Sequence, residues 1–248
     1  MTPLFDDELL ARPRRELAPG AVHVPGWLSL EQQAWIAARV REWASGPVPP
    51  RAASVRGHEM SVKTVCLGWH WQPYKYTREA TDVNGRRVLP LPDWMVRVGR
   101  LAVAEAYGEA SGVPGHHLYT PDTALVNYYD ADARMGMHQD RDEVSMEPVV
   151  SLSIGESCVF RFGNSESRNR PYEDLVLESG DLFVFGGPSR LAFHGVTKIL
   201  PRTAPPGCGI GEGRINITLR DTGLRDADER DADERVTVEP TDGRKPEA

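Results

Sequence analysis

Two histidines and one aspartate are the residues whose types and spacing best suit metal chemistry. His138 and Asp140 are two residues apart, and residues with that separation in a strand project to the same side. His194 lies in a further strand-like segment, Arg190–Val196. Two histidines and a carboxylate form the facial triad that holds non-haem iron(II) and leaves coordination positions open. Alternatively, His138 and Asp140 lie in a surface loop and His194 is a hydrogen-bonded core residue. Because His-x-Asp occurs by chance in many chains, these three residues alone favour this alternative without a metal.

The segment Arg214–Arg220 carries a second polar constellation. Strict alternation puts Ile215, Ile217 and Leu219 on one face and four polar residues on the other: Arg214, Asn216, Thr218 and Arg220. An ordinary amphipathic strand with its polar face in water would show the same alternation. Two guanidinium groups spaced over about 20 Å, with an amide and a hydroxyl between them, also suit a small dicarboxylate, because guanidinium binds carboxylate in a bidentate manner.

Two helices are predicted in the first half of the chain. Ser29 and Gln32 have the spacing of a capping box, and the apolar residues after them, Leu30, Trp35, Ile36 and Val40, are roughly helix-spaced. A second helix opens at Pro92-Asp93 and closes at Gly112, with one face formed by Trp94, Val98, Leu101, Ala102 and Ala106.

Short strands dominate the chain after about residue 120. The segments are rich in β-branched and aromatic residues and are separated by Gly, Asn, Ser and Pro; they are 149–154, 158–162, 174–178, 181–185 and 215–219. Helices followed by many short strands indicate an α+β fold with a β-sandwich or barrel. We expect a double-stranded β-helix (jelly-roll) core with the N-terminal helices packed on its outside.

Length and composition restrict the class of protein. A chain of 248 residues, 40% hydrophobic, is long enough for one large domain with appendages. The acidic N-terminus does not resemble a secretory signal, and no apolar run is long enough to span a membrane. Cys66, Cys158 and Cys208 are odd in number and far apart, which fits neither a disulfide framework nor a zinc ribbon. A cytoplasmic monomer is expected.

The net charge of −7 leaves the partner undecided. Residues 221–248 contain ten acidic and five basic residues, a net of −5, so residues 1–220 carry only −2. A near-neutral body gives no positive support for nucleic-acid binding. The acidic tail contains the repeats Asp226–Arg230 and Asp231–Arg235 and almost no apolar residues, and is expected to be disordered.

A larger set of motifs resembles the AlkB family of alkylated-nucleobase dioxygenases. The matching segments run in order from about residue 55 to residue 220. They are Met60–Val62, Leu67–Trp69, Asn127–Tyr129, Gly136–Glu143, Pro148–Gly155, Phe160–Gly163, Gly180–Asp181, Gly186–Gly187, Ser189–Leu191, His194–Gly195 and Arg214–Arg220. The joint pattern is highly specific.

The resemblance implies that His138, Asp140 and His194 bind iron(II). It also implies a 2-oxoglutarate pocket formed by Asn127, Tyr129, Arg214, Asn216, Thr218 and Arg220. Arg214 is expected to bind the distal carboxylate and Arg220 to lie nearer the metal. With dioxygen, 2-oxoglutarate would be converted to succinate and carbon dioxide, and the N-alkyl carbon would be hydroxylated. Collapse of the hemiaminal would then release formaldehyde and the repaired base.

Five residues match the substrate side of the family: Trp69, Tyr74, Tyr76, Asp142 and Arg168. Trp69 matches an aromatic that stacks on the base, Asp142 an acid beside the base, and Arg168 a basic residue near it if one residue is inserted. Tyr74 and Tyr76 match a Tyr-x-Tyr pair after a short gap. Alternatively, Trp69 belongs to the core, the tyrosines anchor a loop and Arg168 is a solvated surface charge. The unmatched histidines, His70, His116 and His117, are expected at the surface.

The resemblance favours repair of 1-methyladenine- and 3-methylcytosine-type lesions in single-stranded DNA, and it leaves RNA and duplex DNA open. Two alternatives remain: a small-molecule hydroxylase on the same scaffold and an inert module that binds nucleic acid. The first requires a closed pocket, whereas aromatic residues beside an open cleft suit a nucleobase.

The expected division is an arm over 1–20, a helical and nucleotide-recognition segment over 21–120, a jelly-roll core over 121–220 and the tail over 221–248.

Overall fold

The structure, a computed structural model, describes residues 12–108 and 119–224. Several predictions fall outside these ranges: residues 1–11 of the arm, Gly112, His116, His117 and the acidic tail from residue 225 onward. No helix in the described ranges is long and apolar enough to cross a membrane.

Two α-helices and fourteen strands make up the described part of the chain. The helices are α1 (Leu30–Ala44) and α2 (Asp93–Tyr107), with a short 3-10 turn at Gly187–Ser189. The strands before residue 108 are β1 (Arg15–Ala18), β2 (Ala21–Val24), β3 (Arg51–Val55), β4 (His58–Leu67), β5 (His70–Gln72) and β6 (Lys75–Thr77). The later strands are β7 (Thr123–Tyr129), β8 (Met135–His138), β9 (Val149–Gly155), β10 (Ser157–Phe162), β11 (Glu173–Leu177), β12 (Leu182–Phe185), β13 (His194–Leu200) and β14 (Arg214–Arg220).

Two antiparallel sheets form the scaffold. The larger has the order β1-β2-β12-β9-β14-β7-β4-β3 and the smaller the order β11-β10-β13-β8. Phe183 of the large sheet packs edge-on against Phe160 and Phe162 of the small sheet, with ring centroids 5.1 and 5.2 Å apart. Because these rings belong to one buried cluster, the sheets face each other across a shared core.

The helices cover the other face of the large sheet. Ile36 of α1 and Met95 of α2 share a buried cluster with Val126, Leu152 and Ile217 of the central strands. The predicted α+β jelly roll with helices on its outside is therefore confirmed.

Local capping determines where the helices begin and end. The predicted capping box is present: the Gln32 backbone N–H donates to Ser29 Oγ at 3.2 Å and the Ser29 N–H donates to Gln32 Oε1 at 2.8 Å. Helix α2 ends at Tyr107, where Gly108 adopts φ 60°, and so closes before the predicted Gly112, which lies outside the described ranges. Leu101, predicted on the inner face, is 63% exposed.

Besides the two predicted helices, the first half of the chain contains strands that were not predicted. Six strands precede residue 108, and four of them, β1 to β4, belong to the large sheet. β4 is the longest strand described and pairs with β7, about sixty residues further along the chain. The strand-like segment predicted at Arg190–Val196 begins only at His194, because the chain forms a turn just before it.

Candidate metal and cosubstrate site

The three predicted metal ligands lie together at one end of the small sheet. β8 pairs with β13 so that His138 is directly opposite His194, and Asp140 follows two residues after His138. One ligand atom from each side chain lies within 4.8 Å of the other two. Asp140 Oδ1 is 3.5 Å from His138 Nε2, and Asp140 Oδ2 is 3.7 Å from His194 Nε2.

Both imidazole rings are oriented by backbone carbonyls. His138 Nδ1 lies 2.9 Å from the carbonyl oxygen of Gly136, and His194 Nδ1 lies 3.0 Å from that of Ala192. A carbonyl accepts only from a protonated nitrogen, so each neutral ring presents an unprotonated Nε2 to the centre of the group. Two imidazole nitrogens and a carboxylate are the donors of an iron(II) facial triad, so the residues fit this metal.

Protonation states also suit a metal site. Burial lowers the pKa of His194 to about 4, despite the opposing effect of Asp140. Burial alone would raise the pKa of Asp140, but Arg220, His194 and His138 together hold it well below its ordinary value. At neutral pH the buried histidine is neutral and the aspartate is ionised, as metal ligation requires.

A cavity of about 450 Å³ opens onto this group. Its wall includes the three ligands and all six residues predicted for the 2-oxoglutarate pocket, namely Asn127, Tyr129, Arg214, Asn216, Thr218 and Arg220. The polar face of β14 thus lines a cavity and not bulk water.

Strand register holds the amides of this face in place. Asn216 of β14 lies opposite Asn127 of β7, and Asn127 Nδ2 donates to Asn216 Oδ1 at 3.3 Å. Thr64 of β4 donates to Asn127 Oδ1 at 2.8 Å, and Asn216 Nδ2 donates to Ser151 Oγ at 2.8 Å. Since each amide is fixed by its neighbours, this wall of the cavity is preorganised.

The two arginines of β14 differ in what they contact. Arg214 is 1% exposed and donates one hydrogen bond, from Nη2 to Ser153 Oγ at 2.9 Å. Its Nε and Nη1 have no hydrogen-bond partner within the described ranges. Buried N–H groups are rarely left unpaired, and this guanidinium fork matches the geometry of a carboxylate. Arg214 therefore fits the distal carboxylate of 2-oxoglutarate. Arg220, in contrast, is paired with Asp140 at 2.8 Å.

Three of the predicted substrate-side residues line the cavity: Tyr74, Asp142 and Arg168. Tyr74 is largely exposed at the turn between β5 and β6, and the Arg168 guanidinium lies 5.8 Å from the centroid of the Phe193 ring. Trp71 lines the same cavity and donates its indole N–H to Asp142 Oδ2 at 2.9 Å.

Trp69 and Tyr76 lie elsewhere, and this placement corrects their predicted contact with the base. Trp69 is buried in a small core cluster, with Arg78 3.8 Å from the centroid of its ring and its indole N–H donating to Asp122. Tyr76 is buried and its hydroxyl donates to Glu143. The cavity wall formed by the described residues includes neither side chain.

Sequence comparison with the motifs missed Trp71. Trp71 lies in β5 within the short gap between Trp69 and Tyr74, where the motif match is interrupted. The prediction that His70 lies at the surface is also wrong. Its side chain is 1% exposed, and Nε2 lies 2.6 Å from Asp82 Oδ1 and 3.2 Å from Arg51 Nη2.

Comparisons with known proteins agree with this geometry. The family profile of the 2OG-Fe(II) oxygenase superfamily matches residues 20–220. An alpha-ketoglutarate-dependent dioxygenase AlkB homolog of Caulobacter vibrioides is 36% identical over 219 residues, covering 86% of this chain and 92% of that protein. AlkB of Escherichia coli is 36% identical over 173 residues, covering 67% of this chain and 74% of that protein.

A longer plant protein and a solved structure are also similar to the chain. The DNA N(6)-methyladenine demethylase ALKBH1D of Arabidopsis thaliana is 32% identical over 222 residues, and the chain spans only 50% of that protein's length. The solved structure of OsALKBH1 matches with a TM-score of 0.74 at 30% identity, covering 84% of this chain and 100% of that one. The chain therefore belongs to the AlkB family within the 2OG-Fe(II) oxygenase superfamily.

Proposed function

We propose that this protein removes N-linked alkyl groups from nucleobases by oxidation, coupled to the conversion of 2-oxoglutarate to succinate. One observation carries the proposal. The His138–Asp140–His194 group lines the same cavity as Trp71, Asp142 and Arg214, whose Nε and Nη1 have no partner among the described residues. A metal, a dicarboxylate and a planar base can thus be held side by side. The names of relatives support the two halves of this chemistry: alpha-ketoglutarate-dependent dioxygenase for two bacterial proteins, and DNA N(6)-methyladenine demethylase for a plant protein.

The ligands and the cosubstrate pocket have separate tasks. His138, Asp140 and His194 would hold iron(II), and Arg214 would hold the distal carboxylate of 2-oxoglutarate beside the Asn127–Asn216 pair. When bound, iron(II) and 2-oxoglutarate would allow dioxygen to oxidise the N-alkyl carbon. The buried polar wall excludes bulk water and holds the cosubstrate in one orientation.

The entrance of the cavity suits an extruded base. Trp71 and Tyr74 supply aromatic surfaces, and stacking on such side chains is worth about 1–3 kcal/mol per base. The indole N–H of Trp71 occupies Oδ2 of Asp142 and leaves Oδ1 for the substrate. A carboxylate here complements 1-methyladenine and 3-methylcytosine, which are cationic at neutral pH and have lost Watson–Crick pairing.

A nucleic-acid strand fits the cavity rim better than a free small molecule. Arg56, Arg141 and Arg168 line the cavity from three different segments of the chain. Guanidinium groups around a base pocket suit the phosphates that flank the base. We therefore propose alkylated single-stranded DNA as substrate, with RNA and duplex DNA as alternatives for the assay to separate.

We also propose that the protein acts as a cytoplasmic monomer. The compartment is supported by three buried free cysteines, which suit a reducing environment.

The test is succinate production with iron(II) and 2-oxoglutarate in the presence of a methylated oligonucleotide, an unmodified oligonucleotide or a methylated nucleoside. We expect the methylated oligonucleotide to stimulate turnover most, and the His194→Ala variant to show none. Equal stimulation by the free nucleoside would support a small-molecule hydroxylase instead. No turnover with any substrate in the wild-type protein would support an inert binding module.

A further inference from the structure

Four buried charges form a continuous chain beside the metal group. Arg220 Nη2 lies 2.8 Å from Asp140 Oδ1, and Arg220 Nη1 lies 2.8 Å from Glu143 Oε1. Glu143 Oε2 in turn accepts from Arg190 Nη2 at 3.1 Å. The side chains of Glu143 and Arg190 are 0% and 2% exposed, so these charges balance one another without water. We call this chain, Asp140–Arg220–Glu143–Arg190, the Glu143 bridge.

We propose that Glu143 is a positioning residue that sets the metal affinity of the site. It does so by pairing with the Arg220 guanidinium, which also pairs with the Asp140 carboxylate. The inference rests on the proposed function, since it assigns Asp140 to the metal. Glu143 is not among the residues that line the cavity in the described chain, so it acts through Arg220 and Arg190 and not by touching a substrate.

The division of Arg220 matters because Asp140 must also bind a cation. With Glu143 ionised, the Arg220 guanidinium neutralises two carboxylates at once. If Glu143 carried no charge, Asp140 alone would balance the buried Arg220 guanidinium. The Arg220–Asp140 ion pair would then compete more strongly with a metal for the Asp140 carboxylate. Glu143 thus keeps the Asp140 carboxylate available.

Arg190 extends the same control to the backbone of the ligand loop. Its Nη1 donates to the carbonyl oxygen of Asp140 at 2.6 Å, and its Nε donates to that of Glu147 at 2.7 Å. Glu143 holds the third nitrogen of this guanidinium. Arg190 thus holds both ends of the segment 140–147. Because Glu143 orients Arg190, Glu143 also helps to fix the position of Asp140.

Tyr76 belongs to this bridge. Its buried hydroxyl donates to Glu143 Oε1 and accepts from Arg220 Nη1 at 3.0 Å. Glu143 Oε1 therefore receives two hydrogen bonds and Oε2 one, which leaves the carboxylate in a single orientation. This arrangement accounts for a tyrosine that matches the family motif but does not reach the cavity.

The direct test is the affinity of the intact protein for Mn(II), a divalent probe that does not depend on turnover. Loss of a partner behind a metal ligand typically weakens metal binding about 10–100-fold, and we expect a loss in this range for Glu143→Gln. Glu156→Gln is the matched control, because Glu156 is also buried but accepts from the backbone of Arg202 and Gly213. This control should keep wild-type Mn(II) affinity.

The outcomes separate the inference from the proposed function. Failure of the wild-type protein to bind Mn(II) would overturn the iron site itself. Wild-type binding with an equal affinity in Glu143→Gln would overturn only the positioning role. A fall in affinity of the same size in Glu156→Gln would also overturn it, since any loss of a buried carboxylate would then have that effect.

Tyr76→Phe keeps the inference testable if Glu143→Gln does not fold. The phenylalanine retains the buried ring and removes one hydrogen bond to Glu143. We expect weaker Mn(II) binding with an unchanged KM for methylated oligonucleotide. A raised oligonucleotide KM with unchanged Mn(II) affinity would instead place Tyr76 at the base and overturn its assignment to the bridge.

Discussion

Replacing Arg214 with methionine isolates the proposed contact with 2-oxoglutarate. The substitution keeps a long buried side chain and removes the guanidinium, two of whose nitrogens have no partner within the described ranges. Its single hydrogen bond in the described chain, to Ser153, joins it to a neutral hydroxyl. The protein without ligand should therefore lose little stability from Arg214→Met, because an uncompensated buried charge leaves with the side chain.

The loss should appear when 2-oxoglutarate is added. Removing one partner of a desolvated ion pair costs about 3–5 kcal/mol, which is roughly two to four decades in affinity. At about 100 times its dissociation constant, a ligand stabilises the native state by about 2.7 kcal/mol. That raises Tm by roughly 5–11 °C for a domain of this size. At the same concentration, a variant about 100-fold weaker gains at most about 0.4 kcal/mol, or roughly 1–2 °C.

Thermal denaturation with Mn(II), with and without 2-oxoglutarate, measures this difference. Arg161→Met is the control, because Arg161 forms a partly exposed pair with Asp174 and should respond to 2-oxoglutarate like the wild type. An Arg214→Met protein with the full wild-type shift would refute the assignment of the distal carboxylate to Arg214. A large loss of stability without ligand would show that the guanidinium has a structural role.

Further predictions concern the metal, the base and the tail. His138→Ala should remain folded and lose Mn(II) binding; undiminished binding, measured by calorimetry, would remove it from the ligand set. Asp142→Asn should slow repair of cationic 3-methylcytosine far more than that of neutral 3-methylthymine, and equal slowing in single-lesion assays would show that the carboxylate does not recognise charge. Trp71→Ala should raise KM for oligonucleotide about tenfold or more through lost stacking, while Trp69→Phe should mainly lower Tm; the reverse pattern would restore Trp69 to the base. Removal of residues 225–248, outside the described ranges, should leave Tm and turnover unchanged, and a lower Tm would show that the tail packs on the domain.

Features encoded by neighbouring residues could be predicted from the sequence. The capping box at Ser29 and the five later strands depend on local hydrogen bonding and alternation, and the structure confirms them. The alternation of Arg214–Arg220 was also correct, but it could not distinguish a cavity wall from a solvated face. That choice depends on pairing with β7 and β9, which lie far away in the sequence.

Features that depend on distant contacts were missed. β4 pairs with its neighbour β3 and with the distant β7, and no local pattern encodes the pairing with β7. That Trp71 lines the cavity while Trp69 is buried in a core cluster depends on how the short β5–β6 hairpin packs in the folded protein. The role of Glu143 requires Arg190 and Arg220, which approach it only in the folded protein.

The most direct test of the central claim follows a single defined lesion by mass spectrometry. A single-stranded oligonucleotide with one 3-methylcytosine is incubated with the protein, iron(II), 2-oxoglutarate and air, and the oligonucleotide mass, succinate and formaldehyde are measured together. The proposed function predicts loss of the methyl group with equimolar succinate and formaldehyde, and none of these products with His194→Ala. Succinate production with an unchanged oligonucleotide mass would contradict the assignment of nucleobases as the substrate.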